Sequence, residues 1–196
     1  MRRDPVYRWL VVASTVLLLA GLTTGLATVC TWFVRVHEVH TSQAALARSG
    51  GPADRLYLPR LHLTFVVVEG AGERDLLRGP GHIPGTAGFG QPGNAGVAGH
   101  RYPGVFWDLD RLRVGDPVVV ETPDSWYVYR VTAGMVVGAQ DTQVLDAHPA
   151  GAAPTAQAFL TLVTCDPKLT TAHRLIRQAE LVRTEPQAGD RPAELG

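Results

Sequence analysis

Cysteine is almost missing from this chain: two residues in 196, Cys30 and Cys165. That excludes a disulfide-stapled scaffold, which needs several spaced cysteines in one compartment. Excess charge is missing too. Lys and Arg number 18, Asp and Glu also 18, and the arginines are scattered singly, so no basic field exists to attract nucleic acid. Metal-site spacing is equally absent, because the seven histidines form no HExxH and there is no CxxC. The glycine-dense stretch "LLRGPGHIPGTAGFGQPGNAGVAGHR", 76–101, lacks a following Lys-Ser/Thr and a strand-turn-helix context, which sets aside a phosphate cradle. Its glycines read as tight turns. With 45% hydrophobic residues the chain has material for one membrane segment and one domain of ordinary size, and a second large domain does not fit.

What is present begins with a long apolar run. "WLVVASTVLLLAGLTTGLATVCTWF", 9–33, carries no charge and is long enough to cross a bilayer core of about 30 Å as a helix. A cleavable signal peptide would have a shorter apolar region and a better small-residue site than Ala27 with Val29. The run is therefore read as an uncleaved anchor. Arg2, Arg3 and Arg8 crowd its short N-terminal side, so residues 1–8 are expected in the cytoplasm and everything after residue 33 outside. Residues 34–55 read as an extracytoplasmic stalk, with "HEVHTSQAALARSG" helical and "GGPADR" breaking it.

Beyond the stalk the chain reads as strands. "LHLTFVVV" (61–68), "AGVAGH" (95–100), "PVVVET" (117–122), "WYVYRVTAGMVV" (126–137), "FLTLVTC" (159–165) and "HRLIRQAELV" (173–182) are β-branched or aromatic runs separated by Gly, Pro and Asp. That is the pattern of a closed or nearly closed β-barrel over 56–183. "FWDLDRL", 106–112, reads as one helical turn between strands. The tail 184–196, "TEPQAGDRPAELG", has almost nothing apolar to bury and is expected to be disordered.

On this topology Cys165 is an exported thiol with no soluble partner, since Cys30 lies in the membrane run. A free cysteine is commonly a small buried hydrophobe, and at a strand end it is also a candidate nucleophile; composition leaves both open. Among the histidines, His37, His40 and His148 read as solvated, and His62, His82 and His173 as structural or surface residues. Only His100, delivered at a strand end as Cys165 is, stands in a site-like position. A cysteine with a distant histidine is the minimum set for thiolate catalysis.

"GPGHIPGTAGFGQPGNAGVAGHR", "TLVTC" and "HRLIRQAEL" together resemble the sortase family of cysteine transpeptidases, most of all the class E sortases of high-GC Gram-positive bacteria. The resemblance runs from Leu56 to Val182. It implies an all-β, eight-stranded barrel with short helical turns, in which His100, Cys165 and Arg174 meet at one end. It also implies cleavage of an LAxTG- or LPxTG-like sorting signal between Thr and Gly through a thioacyl-enzyme. The partners implied are secreted proteins bearing that signal, an amine of a lipid II-like peptidoglycan precursor, and membrane lipid around the N-terminal helix. Nucleic acid is not among them. No cofactor or metal is expected; Glu69, Glu73 and Asp75 are a thin set of oxygen ligands for calcium.

Thr164, Asp141 and Thr142 are the expected substrate contacts, the last two in a long connection, 135–159, before the cysteine strand. Strand alternation puts Arg174, Ile176 and Gln178 on one face and His173, Leu175 and Arg177 on the other, so one arginine only is expected to point at Cys165. Asp166 replaces a histidine common in the class, and a carboxylate beside the thiol would disfavour the thiolate if it were close and unpaired. A cysteine peptidase that hydrolyses the same intermediate, or a non-catalytic barrel module, are the alternatives.

Overall fold

The computed structural model describes residues 5–152 and 157–196. Arg2 and Arg3, and residues 153–156 of the connection before the cysteine strand, lie outside the described residues. Two compact units are present, one ending at His37 and the other running from Glu38 to Gly196.

A single helix, α1 (Pro5–Ser49), includes the apolar run and the whole of the expected stalk helix. No Gly or Pro occurs between Gly25 and Gly50, so nothing in the sequence stops it sooner. Gly50, at φ 62°, ends it in the left-handed conformation that glycine adopts without cost. In the first unit Leu10, Leu17, Leu18, Leu22 and Leu26 are all exposed on this helix, which is long and apolar enough to cross a membrane.

The second unit begins inside the helix. Val39 is 1% exposed within the hydrophobic core, and one turn on, Gln43 accepts a hydrogen bond from Val66 N (2.9 Å) and donates to the carbonyls of Val66 (3.0 Å) and Arg78 (2.8 Å). His40 Nε2 lies 3.0 Å from the Pro103 carbonyl. The part of the expected stalk from Glu38 onward therefore belongs to the second compact unit, and His40 is not simply solvated. Val39 and Gln43, four residues apart, share one helix face, and that face docks.

The strands are β1 (Arg55–Leu58), β2 (Leu63–Val66), β3 (Val68–Glu69), β4 (Gly81–His82), β5 (Gly93–Ala98), β6 (Pro117–Glu121), β7 (Ser125–Gly138), β8 (Ala158–Asp166) and β9 (His173–Pro186). They form one sheet in the order β2-β1-β6-β7-β9-β8-β5-β4-β3. β2 and β3 sit at its two edges yet are separated by Val67 alone, so one bent strand pairs with β1 through its first half and with β4 through its second. Counted that way the nine strands are the expected eight, and the sheet curls into a nearly closed barrel. Inside lie Leu56, Leu58, Val97, Phe106, Leu109, Val118, Val120, Tyr129, Leu160 and Leu162.

The tail departs from expectation. β9 continues to Pro186, and Leu195 packs on Val119, Trp126 and Val128. Glu194 binds Arg130 (3.1 Å) and Arg183 (2.8 Å). The tail is short of apolar residues, but one leucine and one carboxylate suffice to latch it onto the outer face of β6 and β7.

The docking of α1 gives a direct test. Val39→Ala, in the full chain in detergent, should cost about 2 kcal/mol through lost burial, whereas an alanine at exposed Ala44's neighbour Gln43 should cost about 1 kcal/mol per lost hydrogen bond. Denaturant midpoints read both; unchanged midpoints would show that the docked turn adds nothing.

Candidate active site

β8 lies between β5, parallel to it, and β9, antiparallel. Cys165 stands directly opposite Arg174 across the β8–β9 ladder, as Val163 does Ile176 and Thr161 does Gln178. Residues directly opposite in such a ladder project to the same face. On the other side Ala98 pairs with Val163, and Gly99 N continues the ladder by donating to Val163 O (3.0 Å). Two residues beyond Ala98 on the same chain, His100 follows the parity that brings Cys165 to this face. The expected trio thus comes from three adjacent strands at one end of the barrel.

Each member has distinct surroundings. Cys165 is free and half-buried. The His100 ring stacks on Tyr102 with centroids 4.6 Å apart and planes 20° apart, which fixes the imidazole plane. Arg174 donates through Nη1 to the carbonyls of Thr171 (3.0 Å) and His173 (2.9 Å). Its Nε and Nη2 make no hydrogen bond among the described residues, leaving three N–H donors of the planar fork for a ligand. Gly99 has a packing reason to lack a side chain, because a Cβ there would lie 2.6 Å from the Phe106 ring.

Thr164 corrects an expectation. It is 3% exposed, faces away from Cys165, and its hydroxyl donates to Gly99 O at 2.7 Å. It straps β5 to β8 and presents nothing to a ligand at the surface. Asp141 and Thr142 are exposed at the start of the β7–β8 connection, just before the short 3-10 turn Gln143–Leu145.

That turn is pinned over one face of β5, β8 and β9 by polar side chains. Asn94 Nδ2 donates to the carbonyls of Val144 and Asp146 (both 3.1 Å), Gln178 Nε2 to Val144 (3.2 Å), and Thr161 Oγ1 to Asn94 Oδ1 (2.9 Å). Thr161 has one proton, which the shorter contact takes, so the Val144 carbonyl receives two donors for its two lone pairs. Beneath, Gly96 has Ile83 and Leu145 so close that a Cβ would meet both at 3.0 Å. The turn covers Asn94, Thr161 and Gln178 on one face of β5, β8 and β9, and Cys165 lies on the same face of β8 nearer the strand end.

Behind Cys165 lies a network that the sequence did not announce. Arg101 is buried, donates to the carbonyls of Cys165 (3.2 Å) and Trp107 (3.4 Å), binds Asp110 (3.1 Å), and makes a short ion pair with Asp166. Lys168 meets Asp108 at 3.4 Å and lies 4.7 Å above the Trp107 ring. Asp166 is therefore paired, so the condition under which it would disfavour the thiolate, an unpaired carboxylate, is not met. The only forewarning was that "GHR" and "TCD" each put a charge one residue past a candidate site residue.

Arg177 takes the opposite face from Arg174, as alternation predicts, and it is structural. Nε donates to Leu112 O (2.9 Å) and Nη2 to Asp110 O (2.8 Å), holding the 3-10 turn Leu109–Arg111. Burial lowers its pKa and nearby Asp110 partly offsets this. Elsewhere His82 bridges Glu69 (3.1 Å) and Ala87 O (2.9 Å), and Asp75 accepts from Gly72 N (3.2 Å), so Glu69 and Asp75 of the conceivable calcium set have local partners.

A family model described as the sortase domain matches residues 56–182. Among curated proteins, Sortase SrtE2 of Streptomyces coelicolor is 38% identical over 111 residues, covering 54% of this chain and 44% of that protein. Sortase SrtE1 of the same organism is 30% identical over 151 residues, 71% of this chain and 43% of that protein. The chain spans less than half the length of these relatives. Among solved structures, sortase E from Streptomyces avermitilis superposes with a TM-score of 0.67 at 38% identity, over 75% of this chain and 98% of that one. Sortase E1 from Streptomyces coelicolor, solved with a tripeptide in the active site, gives 0.69 at 31% over the same shares. Family model, strand order and the pairing of the "TLVTC" strand agree: the chain belongs to the sortase family and is class E-like.

Proposed function

We propose that this protein is a membrane-anchored cysteine transpeptidase that cuts a sorting signal of the LAxTG or LPxTG type between Thr and Gly and joins the threonine carbonyl to an amine of a lipid II-like cell-wall precursor. The observation that carries the reading is the facing of Cys165 and Arg174 across β8 and β9, with His100 following from β5. The exposed leucines of α1 suit lipid, and the cluster of arginines before it suits a cytoplasmic N-terminus with the barrel outside. The tripeptide in the active site of the Streptomyces coelicolor enzyme supports a peptide ligand for the face that carries Cys165.

The chemistry then runs through side chains alone. The Cys165 sulfur attacks the threonine carbonyl carbon, forming a C–S bond, while Arg174 donates to the oxygen on which negative charge develops. The C–N bond to glycine breaks as His100 gives its proton to the leaving amine. The acceptor amine enters, loses a proton to His100, forms the new C–N bond and expels the thiolate. An amide is exchanged for an amide, so no external energy source or cofactor is called for. The turn built on Val144, with Asp141 and Thr142 beside it, is the part of this face suited to reading the residues before threonine.

Cys165→Ala should abolish both the covalent intermediate and transfer, read by mass spectrometry with an LAxTG peptide and an amine; an acyl adduct on the variant would remove Cys165 from this role. His100→Ala should slow transfer by about 10²-fold or more, with His82→Ala far milder. Arg174→Lys keeps charge but loses the fork and should also lose about 10²-fold, whereas Arg177→Ala should lower stability by about 1–3 kcal/mol with little effect on kcat. Near-normal turnover in Arg174→Lys beside a crippled Arg177→Ala would invert the assignment. Replacing Asp141 and Thr142 together should change the ranking of LAxTG against LPxTG peptides while thiol alkylation stays as in the wild type. An unchanged ranking removes them from recognition.

A further inference from the structure

We propose that Arg101 and Asp166 are positioning residues for the thiol site: their ion pair, behind the ends of β5 and β8, holds His100 level with Cys165 and neutralises the Asp166 carboxylate one residue along from the thiol. The inference rests on reading Cys165 as the nucleophile. It concerns a pair peculiar to the way "GHR" meets "TCD" in this chain.

The first argument is register. Between β5 and β8 the partners are Gly96 with Thr161, Val97 with Leu162 and Ala98 with Val163, a constant step along the two strands. Regular pairing stops at Ala98, two residues short of His100. What continues the alignment is a series of single contacts at the same step: Gly99 N to Val163 O at 3.0 Å, Thr164 Oγ1 to Gly99 O at 2.7 Å, and then Arg101 to the Cys165 carbonyl at 3.2 Å and to the Asp166 carboxylate. Arg101 is the last tie beyond His100. With the Thr164 strap just before it, Arg101 brackets His100 along β8.

The second argument is charge. Side chains alternate along β8, so Asp166 leaves the face that Cys165 occupies and joins Arg101 behind it. Four cations and three carboxylates gather there: Arg101, Arg111, Lys168 and Arg177 with Asp108, Asp110 and Asp166. His173 is opposite Asp166 on β9 and is exposed. The Arg101 side chain is only 6% exposed, so its charge depends on these partners, and removing it leaves Asp166, 23% exposed, without its cation. A planar fork is needed, because one guanidinium reaches two carbonyls and two carboxylates at once.

Alkylation of Cys165 by iodoacetamide at pH 7, followed peptide by peptide so that Cys30 does not contribute, separates charge from alignment when measured beside kcat and KM for transfer on the full chain in detergent. Arg101→Gln should slow alkylation about tenfold, since an uncompensated carboxylate close by disfavours the thiolate. Asp166→Asn should leave alkylation at or above the wild-type rate and still lower kcat about tenfold, as misplacement of a reacting group does, with KM little changed. The double variant Arg101→Gln with Asp166→Asn should recover alkylation to within about threefold of wild type, a non-additivity expected of directly paired residues, while kcat stays low. Alkylation still tenfold slow in the double variant would make Arg101 a merely structural residue and overturn the proposal. If Arg101→Gln does not fold, Asp166→Asn decides alone: lost alkylation, or alkylation and kcat both unchanged, overturns it. Transfer surviving in Cys165→Ala would sink the nucleophile reading instead, and the alkylation rates would still report whether the pair governs the thiol.

Discussion

The parallel pairing of β5 with β8 is the constraint on which the site depends. Parallel neighbours cannot be joined by a tight turn, so the chain must leave β5, build β6 and β7, and return before β8 can be laid down. The return path carries the Gln143–Leu145 turn over β5 and β8. It also buries β5 and β8 on both faces, the usual condition of parallel strands: the barrel core lies on one side and the Gln143–Leu145 turn on the other. β5 accordingly has small residues where covering elements come close, and Gly96 admits Ile83 and Leu145 where any Cβ would crowd them. A site made from strands distant in sequence is thereby held as rigidly as the core.

Local pattern carried much of this. The long β runs were legible because each alternates or clusters β-branched residues between Gly, Pro or Asp, and β6 to β9 fall where those runs lie. The face shared by Cys165 and Arg174 followed from alternation along β9 once the strand was recognised, and choosing Arg174 over Arg177 leaned on family resemblance. Short elements escaped: β1 and β4 are too brief to show a period, and they exist because neighbours pair with them. The docked turn of α1 and the latched tail escaped for a related reason. Val39 and Leu195 are single apolar residues in polar surroundings, and what makes them core is the surface they meet.

Polar contacts were the least legible layer. Nothing local in Asn94, Thr161 or Gln178 says that Asn94 and Gln178 converge on one loop carbonyl while Thr161 holds Asn94, since the arrangement depends on the register of three strands at once. The same holds for Arg101. In sequence it is one residue past His100, and its exposure was the natural default for an arginine. Only the fold brings it between two carboxylates and two carbonyls, where burial is tolerable because these four acceptors take its donors.

Three consecutive residues show how the pleat divides labour. Thr164 turns inward and fastens its hydroxyl to Gly99; Cys165 turns to the face it shares with Arg174; Asp166 turns back and meets Arg101. A slip of one residue in the β5–β8 register would exchange these roles, sending the thiol into the core and a carboxylate onto the face of Arg174. The slip is opposed twice, by the Thr164 strap before the cysteine and the Arg101 pair after it. Hydrophobic burial alone would oppose it less well, because Val97, Ala98, Leu162 and Val163 are apolar on both faces and would fit either parity. Buried strands of this kind lose the inside-outside alternation that fixes register elsewhere, so polar ties at their ends must supply it.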